Sequence, residues 1–163
     1  MNLRLGFKRF YLNSIASSAL FSSRARRLLL RVYGHEVSNM KSNCFIGEGP
    51  GHIKMGKGSF CNCNCLFDCA DDVLIGDNCR IAYNVSFVNS SHEIGPHDRR
   101  GGEVFAKKII IKNGCWVGAN SVILPGVIIE AGCIIAAGSI VTDNCEPDGL
   151  YGGIPAKRIK DLK

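Results

Sequence analysis

The segment running from His92 through Glu93, Pro96, His97, Asp98, Arg99, Arg100, Gly101 and Gly102 to Glu103 gathers two imidazoles with acidic and basic groups. An imidazole titrates near pH 6.5, so it can take a proton from a weakly acidic nucleophile at neutral pH. His92 is the candidate base, with His97 as a candidate assistant. Nine cysteines form the other reactive set, and an odd number cannot pair completely within one chain. Cys61, Cys63 and Cys65, together with Cys44 or Cys69, invite a zinc reading, but the two-residue spacing usual between paired ligands is missing. Cys79, Cys115, Cys133 and Cys145 instead recur in a slot that elsewhere holds Ser or Val. That is how buried free thiols behave when they serve as small hydrophobes. The expectation is structural thiols in a reducing compartment, with neither a metal nor disulfides.

The slot belongs to a repeat that must position the histidine. An apolar residue returns every sixth position at Ile75, Ile81 and Phe87, then at Ile111, Val117, Ile123, Ile129, Ile135 and Val141. Four residues after each stand Cys79, Val85, Ser91, Cys115, Ser121, Val127, Cys133, Ser139 and Cys145, all small or compact. A half-buried strand repeats every two residues and a helix every 3.6, so a strict six-residue period fits neither alone. It fits short strands joined by tight corners, with Gly76, Ala82, Gly118 and Ala136 as small residues and Asn, Gly or Asp in the turns. Three hexads make one triangular coil, and stacked coils bury continuous interior columns. The predicted fold is therefore an all-β solenoid, a parallel β-helix. An earlier register of Met55, Cys61 and Phe67 is displaced by two residues, with Asp71 and Asp72 at a bulge. The hexads stop between Ser91 and Ile109, predicting one extruded loop over 93–108, and such a loop on a rigid scaffold is a frequent place for catalysis.

The chain divides softly near Asn39. Residues 1–40 form a basic segment in which Arg4, Lys8, Arg9, Arg24, Arg26, Arg27 and Arg31 face only Glu36 as an acidic counterpart. Leu12, Ile15, Ala16 and Ala19, then Arg26 to Val32, suggest one or two amphipathic helices. They could pack on the coils or a partner subunit, or lie on an anionic membrane surface. The stretch from Phe10 to Phe21 is too interrupted by Asn13, Ser14, Ser17 and Ser18 for a convincing signal peptide. Residues 41–163 carry the coils, the loop and a C-terminal tail.

Composition narrows the classes. With 163 residues, 46% apolar and 21% charged, the chain suits one globular domain, and no run approaches the ~18 apolar residues that span a bilayer. A formal charge of +6 suits an anionic ligand. Nucleic acid is disfavoured because the basic residues are not interleaved with aromatic platforms.

The hexads, the run from Ile75 to Ser91 ending at His92, the stretch from Ile111 to Pro125 and the closing Gly152-Gly153-Ile154-Pro155-Ala156-Lys157 resemble the hexapeptide-repeat acetyltransferases. The resemblance covers about residues 41 to 163. It is strongest to the galactoside, maltose and nodulation-factor branch, which includes O-acetyltransferases of surface polysaccharides. It implies a left-handed β-helix, acetyl-coenzyme A as co-substrate without a metal, and a homotrimer with the pantetheine arm in the groove between subunits. It places the general base at His92 and acceptor contacts at Asn62, with Asp68 and Glu103 as further candidates. Trp116 could meet cofactor or acceptor. Gly118, Ala119, Ala136 and Ala137 leave room for the pantetheine arm, while Lys157, Arg158 and Lys160 fall where basic tail residues meet the coenzyme phosphates.

The resulting expectation is acetyl transfer to a saccharide hydroxyl, of a surface polysaccharide or its precursor, in the cytoplasm or at the inner membrane surface. The alternatives are an amino-sugar nucleotide, serine-like metabolite or antibiotic as acceptor, and a non-catalytic β-helix used as an assembly scaffold.

Overall fold

The computed structural model describes residues 3–162 and is a parallel β-solenoid capped by helices at its N-terminal end. Strands are numbered in chain order and fall on three faces. The first face carries β1 (Asn39–Met40), β4 (Phe60–Cys61), β7 (Arg80–Ile81), β12 (Trp116–Val117) and β15 (Ile134–Ile135), and ends with β17 (Gly149–Gly153) and β18 (Ala156–Asp161). The second face carries β2 (Phe45–Ile46), β5 (Leu66–Phe67), β8 (Ser86–Phe87), β13 (Val122–Ile123) and β16 (Ile140–Val141). The third carries β3 (Ile53–Met55), β6 (Val73–Ile75), β11 (Ile109–Ile111) and β14 (Ile128–Ile129).

The six-residue period appears as stacked columns. Val117 pairs between Ile81 and Ile135, and Ile123 between Phe87 and Val141. None of the nine residues from Ile75 to Val141 that set the period is more than 3% exposed. Each such side chain contributes roughly 1.5–3 kcal/mol through burial. The displaced early register resolves as expected, with Met55 paired to Ile75 and the two extra residues falling in the corner before Val73. Coil pairing begins earlier than Lys41, since β1 pairs with β4 and Glu36 bridges to Lys54.

The corners explain the turn residues. On the edge between the first and second faces, Asn43, Asn64, Asn84 and Asn120 all adopt φ near +60°, and Gly138 adopts +73°. Asn tolerates this left-handed conformation because its short amide bonds locally, and Gly because it lacks a Cβ. The Asn84 amide nitrogen donates to the Asn120 side-chain oxygen at 3.0 Å, so part of an asparagine ladder is present. A Cβ on Gly118 would lie 2.5 Å from the Ala137 nitrogen and 2.7 Å from the Ile135 oxygen, so close stacking of the coils excludes any side chain there.

The small inward slot has a polar reason as well as a steric one. The thiols of Cys79, Cys115 and Cys133 donate to the carbonyls of Lys112, Glu130 and Glu146 at 3.0, 3.1 and 3.1 Å. Ser121 and Ser139 donate to the Ala136 carbonyl at 3.1 and 2.7 Å. Ser and Cys alternate because both fill a small space while satisfying a corner carbonyl. One expected member departs from the slot: Ser91 is exposed, because the chain has already left the coil. Cys63 departs too. It sits half-buried at a corner with its sulfur 4.0 Å from the Ser42 hydroxyl, whereas Cys61 and Cys65 are buried.

Helix α1 (Leu3–Phe10) runs into a wider helical turn at Tyr11–Ala16, and α2 (Ser23–Arg31) follows with the Ser22 hydroxyl accepting from the Ala25 nitrogen as an N-cap. Leu12, Ala16 and Leu30 are buried against the first coil. The Asn13 amide imitates a neighbouring strand, donating to the Ile46 carbonyl at 2.9 Å and accepting from the Ile46 nitrogen at 2.7 Å. A solenoid end needs such a cap because its last coil otherwise presents unpaired backbone. At the other end β18 folds back antiparallel on β17.

Candidate active site

The predicted loop over 93–108 is an ordered β-hairpin and begins earlier. β9 (Ser90–Ile94) pairs antiparallel with β10 (Gly101–Ala106), placing Val104 opposite His92. The hairpin leaves the edge between the second and third faces, and its base is pinned by polar contacts. Asn89 is fully buried. Its amide nitrogen donates to the Asp71 carbonyl, its side-chain oxygen accepts from the Ala70 nitrogen at 3.0 Å, and its backbone oxygen accepts from the Lys107 nitrogen at 2.9 Å. The Asp68 carboxylate accepts from both the Ser90 nitrogen and the Ser90 hydroxyl. Buried polar groups so matched hold one geometry strongly, because breaking either partner strands the other.

His92 is exposed on this hairpin, with Nδ1 2.9 Å from the Gly102 carbonyl oxygen. A carbonyl can only accept, so Nδ1 carries the proton and Nε2 presents its lone pair to solvent. The hairpin therefore supplies both the ring's orientation and its tautomer. Glu103 lies beside this contact on β10, exposed, and His97 is exposed in the turn at the hairpin's far end.

The other predicted residues occupy different places. Asn62, Gly118, Ala119, Ala136 and Ala137 line the edge between the first and second faces, one corner away from His92. The Asn62 side-chain oxygen accepts from the Cys63 nitrogen at 2.9 Å, which shapes that corner. Trp116 projects from β12 on the first face and is 54% exposed, so its ring is open to a ligand. Asp68 shares the hairpin's edge but is engaged as its anchor, which explains why its carboxylate stands there. Arg158 differs from the expectation of an open phosphate ligand. Its guanidinium bonds the Asp161 carboxylate at 2.7 Å, the Tyr151 hydroxyl at 3.0 Å and the carbonyls of Glu146 and Pro147 at 3.1 and 3.0 Å, stapling the C-terminal tail. Lys157 makes only an exposed pair with Asp143 at 3.3 Å, and Lys160 is exposed on β18.

The thiols offer no exposed nucleophile beside His92. Burial pushes the Cys69 and Cys145 thiols up to about 12, and eight of the nine cysteines are buried.

Comparison with known proteins agrees with the fold. The model for bacterial transferase hexapeptide repeats matches residues 108–143. A Staphylococcus haemolyticus protein provisionally named an acetyltransferase is 36% identical over 141 residues, covering 86% of this chain and 73% of its own length. The chain belongs to the hexapeptide-repeat acetyltransferases. Within that family, the galactoside O-acetyltransferase of Escherichia coli is 35% identical over 111 residues, 68% of this chain, and the chain spans 55% of that enzyme. The crystal structure of a hexapeptide-repeat acetyltransferase of Vibrio cholerae, complexed with acetyl-coenzyme A, superposes with a TM-score of 0.85 at 29% identity, covering 98% of this chain and 88% of the other.

Sequence reasoning missed two members of this hexapeptide-repeat acetyltransferase's site. The Gly102 carbonyl left no signal, since any residue would supply one. Asn89 left a faint one, a polar residue two positions beyond Phe87 where the hexads fail.

Proposed function

We propose that this hexapeptide-repeat acetyltransferase moves the acetyl group of acetyl-coenzyme A to a saccharide hydroxyl, of a surface polysaccharide or its precursor, with His92 as general base. The observation that carries the reading is the Nδ1–H bond to the Gly102 carbonyl, which leaves Nε2 as an acceptor on a rigid hairpin. Nε2 takes the hydroxyl proton as the oxygen attacks the thioester carbonyl carbon. The tetrahedral oxyanion, held by backbone amides, collapses with cleavage of the carbon–sulfur bond, and the imidazolium returns its proton to the coenzyme thiolate. Direct transfer agrees with thiols that are buried rather than poised as nucleophiles. Glu103 and Asn62 contact the acceptor, the latter through its amide nitrogen, and Asp68 serves by holding Ser90. Trp116 flanks the coenzyme, Gly118, Ala119, Ala136 and Ala137 make room for its pantetheine arm, and Lys157 and Lys160 meet its phosphates.

The placement of these residues supports assembly as a homotrimer. His92 and the small-residue edge occupy different corners of one chain, so a single groove containing both requires the hairpin edge of one copy against the small-residue edge of the next. The free thiols favour the cytoplasm. No helix among the described residues is long and apolar enough to cross a membrane. Exposed Phe7, Phe10, Leu28 and Val32, with exposed Arg24, Arg27 and Arg31 in the same N-terminal segment, favour peripheral contact with its anionic inner surface.

The test is release of coenzyme A thiol from acetyl-coenzyme A across sugars, oligosaccharides, amino-sugar nucleotides and small amines, with wild type beside His92→Ala. Acceptor-dependent release by a saccharide, lost in the folded variant, supports the proposal. Unchanged release in the variant removes His92 as base, and release by amines alone replaces O- with N-transfer. Co-assembling inactive His92→Ala with inactive Ala137→Trp tests the shared groove. Restored activity at about a quarter of the sites is expected for mixed trimers, and none would count against sharing.

A further inference from the structure

Three cysteine sulfurs, those of Cys44, Cys61 and Cys65, lie within 4.8 Å of one another in the interior beneath the N-terminal cap. They come from two successive coils, Cys44 from the corner before β2 and Cys61 and Cys65 from the ends of the corner between β4 and β5. All three converge on one backbone oxygen. The Asn62 carbonyl is 3.3 Å from the Cys44 sulfur, 3.4 Å from that of Cys65 and 3.6 Å from that of Cys61. A tetrahedral ion with bonds of ~2.3 Å to sulfur and ~2.1 Å to oxygen has sulfur–oxygen edges of about 3.6 Å, close to these values.

A second feature points the same way. Arg26 is only 2% exposed, and among the described residues no carboxylate is bonded to it. It donates to the carbonyls of Ala16, Met40 and Phe21 at 3.0 Å each and to that of Ser18, so its charge is held in place beside the thiols without being neutralised. An uncompensated charge is costly in an interior. Three thiolates, one divalent ion and one guanidinium sum to zero, whereas a monovalent ion would leave the cluster negative.

We infer that Cys44, Cys61 and Cys65, with the Asn62 carbonyl as fourth ligand, form a structural site for a thiophilic divalent ion of the zinc class. The ion joins the first coil to the second and fixes the corner that carries Asn62. The missing sequence spacing is explained by the fold: the ligands become neighbours through coil stacking, not along one loop.

The experiment uses the full chain, purified reduced, stripped with a chelator and titrated with zinc or cobalt(II). One ion per chain is expected, with a thiolate-to-cobalt charge-transfer band. Cys44→Ser, Cys61→Ser and Cys65→Ser should each weaken binding at least tenfold, while Cys115→Ser, in the same kind of slot, should bind as wild type. Should the triad variants fail to fold, wild type decides: its melting temperature should rise when zinc is returned. A folded wild type that binds no stoichiometric ion, or triad variants that bind as tightly as Cys115→Ser, would overturn the site.

Discussion

In the coils from Ile109 to Val141 every sixth side chain disappears into the core, whereas no side chain of β9 or β10 is buried. The coils repeat one solution: an apolar column, a small donor and a left-handed corner. The hairpin uses each of its contacts once, with Asp68 on Ser90, Asn89 on Asp71 and Ala70, and the Gly102 carbonyl on His92. Stability drawn from many equivalent contacts leaves a protruding element free to carry chemistry, provided a few polar bonds hold it at the base.

The contrast can be broken at either side. The largest effect is expected from His92→Asn, which should lower kcat by roughly 10²–10⁴ while leaving the thermal midpoint near wild type. A midpoint that drops with activity would mean that the hairpin supports the fold. In the coils, Ile123→Ala should cost about 2–5 kcal/mol in denaturant unfolding, yet molecules that remain folded should keep wild-type kcat. An equal loss of specific activity would show the two regions to be coupled.

The N-terminal cap offers a pH test of the same division. His35 is buried, its Nδ1 accepts from the Ile53 nitrogen at 3.2 Å and its Nε2 has no hydrogen-bond partner. Burial, then the neighbouring His52 and Lys8, depress its pKa to about 4. The unfolded chain binds this proton near 6.5 and the folded chain does not, so the stability is full above 6.5 and is lost as pH falls from there towards 4. The loss should be about 3 kcal/mol. Urea unfolding at pH 7.5 and 4.5 should show it in wild type and not in His35→Asn, which keeps an acceptor for Ile53. Equal pH dependence would reject this origin. The smallest effect is expected from Asp68→Asn, which weakens a charge-assisted pair at the hairpin base. A fall of about tenfold in kcat with KM for acetyl-coenzyme A unchanged would mark it as a positioning residue. An unchanged kcat would mean that Asn89 alone suffices.

Much of the scaffold was readable because a solenoid writes its contacts locally. The phase shared by Ile75 and Ile111 across the interruption predicted that both lie on one face, and they pair directly. The same counting failed at Ser91, which is in phase but exposed, because Asn89 turns the chain outward before the hexad is complete. The hairpin was read as a loop since Ser90–Ile94 and Gly101–Ala106 have no buried face and hence no two-residue hydrophobic alternation. The stapling role of Arg158 was not readable, because a basic tail looks alike whether its cations are solvated or bonded to carbonyls.

By itself, then, the sequence determined the coil. Burial every six residues, with Asn or Gly where φ must be positive, is a property of each short segment, and repetition makes it unmistakable. Only the tertiary structure decided which groups from different coils meet: the carbonyl that sets the His92 tautomer, the carboxylate that anchors Ser90, the three sulfurs around one oxygen and the corner that separates His92 from the small-residue edge. These depend on distances between residues far apart in the chain, and a backbone carbonyl or a stacked thiol leaves no mark on composition or spacing.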